Sequence, residues 1–237
     1  VIELVKSDYS KLRHTWVPWV VLIVPSCLVG FLAIIYTART ELVSEGWMGF
    51  IAWAHNFFPV CLILGITLLA AMIANIEHDS HAWKFLFALP ISKTKLFLSK
   101  LIWIHLIILT AVLLTAIGLI LLGILIGLGD PVRWDLVFQE MIYPYLAAFP
   151  VLSIQFGLSM SMKNQSLPII IGSLGAMTSL FVAYNSSGLL PYLFPWAYVP
   201  LASPLLEGNY TQWPIIGVNI GIILFVLITT YITKRDI

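Results

Sequence analysis

Charge is what this chain has least of. Of its 237 residues 10% are Asp, Glu, Lys or Arg and 60% are apolar, where a soluble protein carries about 25% charged and about 45 to 50% apolar residues. The shortage excludes an ordinary soluble surface. The net charge of +1 says nothing about nucleic acid, and no nucleic-acid partner is expected because the basic residues serve membrane topology. Cysteine is nearly absent: Cys27 and Cys61 both fall within apolar runs, where a free thiol serves as a small buried packing unit, so no disulfide framework is expected. A G-x-x-x-x-G-K-[ST] loop is missing, so the chain has no phosphate cradle of that kind, and the zinc-protease pattern H-E-x-x-H is missing as well. The first fifteen residues are polar and no small-residue cleavage pattern follows the first apolar run, so no cleavable signal is expected.

What the chain does have is length without charge. Runs free of Asp, Glu, Lys and Arg cover 15–38, 46–76, 101–129, 141–162 and 208–233, each near or above the ~20 residues that a helix needs to cross a hydrocarbon core. A further stretch, 164–206, is too long for one crossing. It is interrupted by Asn185, Ser186, Ser187 and Gly188 and then by Pro191, Pro195, Pro200 and Pro204, which predicts a helix over 167–184 and an irregular extracellular hairpin within 185–212 that dips into the outer leaflet. The reading is a single all-α integral membrane domain, 1–237, with six transmembrane helices. Lys6, Lys11, Arg13, Lys84, Lys93, Lys95, Lys100, Lys163, Lys234 and Arg235 fall in alternate gaps, and only Arg39 and Arg133 in the others. Cytoplasmic loops hold the excess of Lys and Arg, so both termini are expected in the cytoplasm.

All eleven acidic residues lie in the gaps or at run ends, so no carboxylate is expected inside the membrane, and an ion or proton relay normally keeps one there. His55 and His105 are the remaining titratable groups in the spans, and a lone His reads first as hydrogen-bonded structure. Ser159, in Gly157-Leu158-Ser159-Met160-Ser161, lacks the closing Gly and the acid and base of a nucleophile elbow. No metal site is expected: His78 and His81, beside Glu77 and Asp79, have no further fixed ligand. Gly123 with Gly127, and Gly217 with Gly221, form G-x-x-x-G pairs that mark close helix packing. Trp47, Trp53, Trp134, Tyr192, Phe194, Trp196 and Tyr198 read as anchors at the outer interface, where Trp and Tyr gather, or as contacts for an amphipathic cargo.

The segment between the second and third runs is the most specific. Over 77–89 the residues suit a short surface helix, with Trp83, Leu86 and Phe87 on one stripe and the acidic Glu77 and Asp79 at the end where the helix dipole favours them. Pro90 ends it, and Ser92 is placed to cap the next helix. Near the amino end, Val5, Tyr9 and Leu12 share one helical face while Glu3, Lys6 and Arg13 fall on others, which suits an interfacial helix over 1–15.

These residues carry a resemblance. Glu77, then Pro90 with Ser92, then Lys100 are similar to the coupling-helix signature of the type-2 ABC permease superfamily, with His81 where many members have Gly. The steps Trp83-Lys84 and Leu89-Pro90-Ile91-Ser92 most resemble the small permeases of bacteriocin-immunity and peptide-antibiotic exporters, lantibiotic and bacitracin-like. Asp8, Lys11 and Arg13 resemble the amino-terminal entry of the same proteins. The resemblance implies a bacterial plasma-membrane permease subunit, not an enzyme, with no cofactor of its own: ATP and Mg belong to a separate ABC ATP-binding subunit. A cytoplasmic coupling helix, 77–90, would contact that subunit through Glu77, His81, Trp83, Lys84, Phe85, Phe87 and Pro90. A second permease copy or related permease would complete the path, and the cargo would be an amphipathic peptide or lipid-like molecule. The alternatives are an accessory or structural membrane protein and an intramembrane enzyme.

Overall fold

The computed structural model of the chain describes residues 2–13, 15–79, 92–129, 131–185, 188–206 and 208–234. Its regular structure is helical, with no strand among the described residues. A helix satisfies its backbone polar groups within one segment, which is what a hydrocarbon environment requires. Hydroxyls obey the same rule. Thr37, Thr67, Thr110, Thr115, Thr178 and Thr230 each donate to the carbonyl one turn back, at 2.7–2.8 Å.

Helix α1 is Ile2–Leu12 and α2 is Val17–Ala38. Thr15 makes the joint: its hydroxyl donates to Leu12 O at 2.7 Å and accepts from Val17 N at 3.2 Å. A 3-10 segment, Thr40–Glu45, leads into α3, Gly46–Asp79. Helix α4, Lys93–Leu125, starts at Ser92, whose side chain accepts from Lys95 N at 3.3 Å. Next come α5, Trp134–Ala147, α6, Phe149–Ser161, and α7, Ser166–Asn185. Two one-turn helices, α8 (Leu190–Leu193) and α9 (Tyr198–Leu201), flank a 3-10 turn at Pro195–Ala197, and α10 is Gln212–Lys234. By length and composition α2, α3, α4, α7 and α10 can each cross a membrane, and α5 with α6 make a sixth crossing if the bent pair counts as one span.

Four sequence expectations change. The run 141–162, predicted as one span, is two helices meeting at 45°, with Pro144 inside the first and Pro150 in the first turn of the second, where a residue without N–H is tolerated. Cys27 is exposed on α2 and so is not a core packing unit, whereas Cys61 is half-buried and packs against the core. Trp47 and Tyr198 are buried, not interfacial anchors: Trp47 donates to Gly129 O at 2.9 Å and Tyr198 to Tyr192 O. Gly127 packs against no helix. It follows the end of α4 at φ +75, with Leu128 N bonded to Gly123 O at 3.1 Å and Gly127 N to Ile124 O at 3.2 Å. That is a glycine helix stop.

The remaining glycines of those pairs sit in contacts. Gly217 and Gly221 bring α10 against the α5–α6 joint, where an added Cβ would stand 2.6 Å from Ala147 Cα and 2.7 Å from the Phe149 carbonyl carbon. Ser153 closes the same contact by donating to Gly221 O at 2.8 Å. At Gly123 the neighbour is the Trp47 ring. Helix α3 lies centrally, against α2, α6 and α7, while α2 also packs on α4.

Candidate functional site

Helices α3 and α4 outlast their apolar runs, and this extension builds the site. Glu77 lies in the last turn of α3, and Lys100 lies eight residues beyond the cap of α4. Their side chains meet at 2.6 Å, both almost wholly buried. A second ammonium, Lys11, reaches the same Glu77 oxygen at 2.9 Å from α1, and Lys100 also contacts Asp8 at 3.3 Å. Ser99 donates to the other Asp8 oxygen at 2.7 Å. Asp8 and Lys11 are three residues apart in α1 and so share one face. Two carboxylates and two ammoniums cancel, which is what makes such burial tolerable.

Trp103, one turn above Ser99 on α4, completes the dock for α1. Its indole donates to Val5 O at 2.9 Å, and its ring stacks on Tyr9 with centroids 5.5 Å apart. Helix α1 is therefore fastened by ion pairs, an indole hydrogen bond and a ring stack to α3 and α4. Arg13 is exposed and stands outside the cluster. The segment read as a coupling helix, 77–90, does not begin a separate surface helix at Glu77: residues 77–79 close α3, which continues because the Glu77 carboxylate is neutralised by Lys11 and Lys100, while His81, Trp83, Lys84, Phe85, Phe87 and Pro90 lie outside the described residues. Trp103 carried no signal in the sequence, because a Trp at a helix start reads equally well as an interface anchor.

A second polar cluster contradicts the expectation of an interior without carboxylates. Glu140 is two turns inside α5 and fully buried. Its Oε1 lies 2.6 Å from His55 Nδ1, and its Oε2 accepts from Ser203 Oγ at 2.5 Å. The other ring nitrogen of His55 lies 2.6 Å from the Tyr184 hydroxyl. The run-based reading placed Glu140 at a span end because the apolar stretch starts at Met141, whereas the helix starts at Trp134. His105 contacts the Tyr145 hydroxyl at 3.0 Å.

The third polar node holds α6 to α7. In the orientation its neighbours dictate, the Gln155 amide donates to Pro168 O and accepts from Gly172 N, each at 3.1 Å. Ser159, the rejected nucleophile, is fully buried within α6. No group of three or more His, Cys, Asp or Glu that could hold a metal occurs among the described residues.

These polar groups fasten helices to one another. No curated protein matches the chain, but residues 4–179 match the family model described as ABC-2 family transporter protein. The matched stretch holds every residue of the Asp8, Lys11, Glu77 and Lys100 cluster. A multi-pass helical chain matched over that span belongs to the ABC-2 transporter family, as a membrane permease subunit whose family implies a separate ATP-binding partner.

Proposed function

We propose that this chain is the membrane half of an exporter that expels an amphipathic or antimicrobial peptide across a bacterial plasma membrane, for self-immunity or resistance. It crosses the bilayer six times with both termini in the cytoplasm. Segment 77–90 is the coupling helix, docking in a cleft of the ATPase through Trp83, Phe85 and Phe87, with His81, Lys84 and Pro90 completing it. ATP and Mg stay on the partner. A second copy of the permease, or a related one, supplies the other wall of the path.

The observation that carries this reading is the Lys11, Glu77 and Lys100 cluster. A push on segment 77–90 reaches Glu77 first. Pulling Glu77 away from its partners would strand buried charge at a cost of about 3 to 5 kcal/mol, so α3, α4 and α1 move as one body. Helix α1, flat at the cytoplasmic surface, makes the second contact with the ATPase. The cargo class is supported only by the apolar character of a narrow groove between α2, α3 and α4, about 30 Å³ in volume and lined by Val24, Leu28, Phe58, Ile66 and Ile108 among others. Such a lining accepts apolar groups, and the one carboxylate deep in the outer half, Glu140, is already engaged by His55 and Ser203.

The test is copurification of the chain with its ATPase, alongside export by cells, for Trp83→Ala and Glu77→Lys. Loss of association with Trp83→Ala, and loss of export with both, is expected. Association and export that both survive intact end the coupling assignment.

A further inference from the structure

The turn from α2 into α3 carries charge that the fold does not use. Both helices are long and apolar enough to cross a membrane, so the turn between them lies at the level of the lipid headgroups. It holds Arg39, Glu41 and Glu45, all exposed. Glu45 is committed to α3. Position 49, in the first turn of that helix, has no side chain, and the Glu45 carboxylate folds over it, so that an added Cβ would strike Glu45 Oε2. The amino end of a helix is where a carboxylate is favoured. Arg39 and Glu41 have no such role: among the described residues neither side chain hydrogen-bonds to or pairs with another. At the α4–α5 turn, which shares this membrane face, Arg133 is taken by Asp135 at 3.2 Å.

Arg39 also stands at the rim of a groove of about 240 Å³ between α2 and α3, with Ile34, Ile35 and Ala38 on one wall and Trp53 on the other. Trp53 is half-buried against the core, and its indole N–H meets no acceptor among the described residues. The groove opens toward lipid, where Ile34 is 68% exposed. One turn deeper, Phe31 and Phe57 meet edge to face with centroids 4.9 Å apart, and Phe31 is 45% exposed. From the turn inward the order is therefore a free carboxylate, a free guanidinium with an indole donor, and an apolar track.

We propose that this groove binds one phospholipid with a zwitterionic, primary-amine headgroup, of the phosphatidylethanolamine kind. Its phosphodiester meets the Arg39 guanidinium, whose planar fork matches a pair of phosphate oxygens, and the Trp53 N–H. Its ammonium lies farther from the acyl chains than the phosphate, as Glu41 lies farther along the turn than Arg39, and it donates to the Glu41 carboxylate. One acyl chain follows Ile34 down to Phe31. The charges select the class. An anionic headgroup would meet one cation, Arg39, against two carboxylates, Glu41 and Glu45. A quaternary amine carries no N–H for Glu41 to accept, whereas a primary ammonium has three.

The experiment needs neither ATPase nor cargo and probes the end of α3 away from Glu77, so its failure would leave the coupling reading standing. The full chain, delipidated in detergent, is titrated with phosphatidylethanolamine, phosphatidylcholine or phosphatidylglycerol of identical acyl chains, and bound lipid is counted by native mass spectrometry. The parent is expected to hold one phosphatidylethanolamine more tightly than either of the others. Arg39→Gln, at an exposed position where folding is unaffected, is expected to weaken that lipid about tenfold, the loss of a hydrogen bond to a charged group. Glu41→Gln is expected to erase the preference over phosphatidylcholine. Trp53→Phe, which keeps a ring and removes the N–H, is expected to weaken all three lipids. Equal binding of the three by the parent, an Arg39→Gln variant that binds phosphatidylethanolamine as the parent does, or a preference unchanged in Glu41→Gln overturns the site. Displacement of the lipid by soluble phosphoethanolamine at equal concentration would show that the headgroup alone is bound, and it overturns the lipid assignment too.

Discussion

Glu77 and Lys100 are 23 residues apart in the chain and 2.6 Å apart in space, and this pair locks the carboxyl end of α3 to the amino-terminal part of α4. Lys100 is almost wholly buried and has carboxylates on two sides, Glu77 and Asp8. Lys100→Met keeps the length of the side chain but leaves Glu77 with Lys11 alone. Removing one member of a buried pair costs about 3 to 5 kcal/mol, and that loss is expected in thermal unfolding of the solubilised chain. Adding Glu77→Gln, which removes the stranded carboxylate, is expected to recover part of it. Equal stability of Lys100→Met and the parent would show that the cluster contributes nothing net.

The two glycines first read as a like pair with others behave oppositely, which gives a contrast within one family of variants. At Gly217 the obstacle to a side chain is the backbone of Ala147 and Leu146, which cannot turn aside. At Gly127 there is open space, but the backbone is left-handed at φ +75. Asn tolerates that conformation, so Gly127→Asn is expected to cost less than about 1 kcal/mol. Gly217→Asn is expected to separate α10 from the α5–α6 joint at a cost of about 1 to 3 kcal/mol. Melting temperatures of the two variants in the same detergent settle the order; Gly127→Asn as the worse of the two would contradict it.

Helix α1 can be loosened without touching a charge. Trp103→Phe keeps a ring for Tyr9 but removes the donor to Val5 O, a loss of about 1 kcal/mol. Because the bond holds only α1, the effect is expected to be local: faster hydrogen exchange over residues 2–12, with exchange in α3 and α7 unchanged. Uniform acceleration across the chain would instead make Trp103 part of the global core.

How much of this was legible in the sequence follows from what each feature depends on. The apolar runs expose the long helices because crossing a bilayer is a matter of length and composition. Their ends are misplaced wherever a charge is paired, since the runs stop at Glu77 and resume after Lys100 while the helices carry both residues inside. Ser92 was readable as a cap because capping is local. The union of Asp8, Lys11, Glu77 and Lys100 was half legible: each residue stood out, but nothing in their spacing said that they touch. His55 and Glu140, 85 positions apart, left no trace, because pairing across a fold has no periodicity. The outward turn of Cys27 was likewise invisible, since a helix that is apolar all round gives no sign of which face meets lipid.

The same reasoning applies to Gln155, a polar side chain in the middle of α6 that no motif explains. Its amide fills the gap between Pro168 O and Gly172 N on α7. The gap exists because position 172 has no side chain: a Cβ there would lie 2.6 Å from the Gln155 amide oxygen that accepts from Gly172 N and collide with Thr67 of α3. Three helices thus meet at a point where one contributes a hydroxyl-bearing residue, one an amide and one bare backbone. Gln155→Leu fills nearly the same volume but gives Gly172 N and Pro168 O no partner, at an expected cost of about 1 to 3 kcal/mol. Gln155→Glu can accept from Gly172 N but, when ionised, cannot donate to Pro168 O and places an unpaired charge in a dry interior, so it is expected to be the more damaging. Thermal unfolding of the solubilised chain should rank parent, Leu and Glu in that order of falling stability. A Leu variant as stable as the parent would mean that packing alone, not the bridging amide, holds α6 to α7.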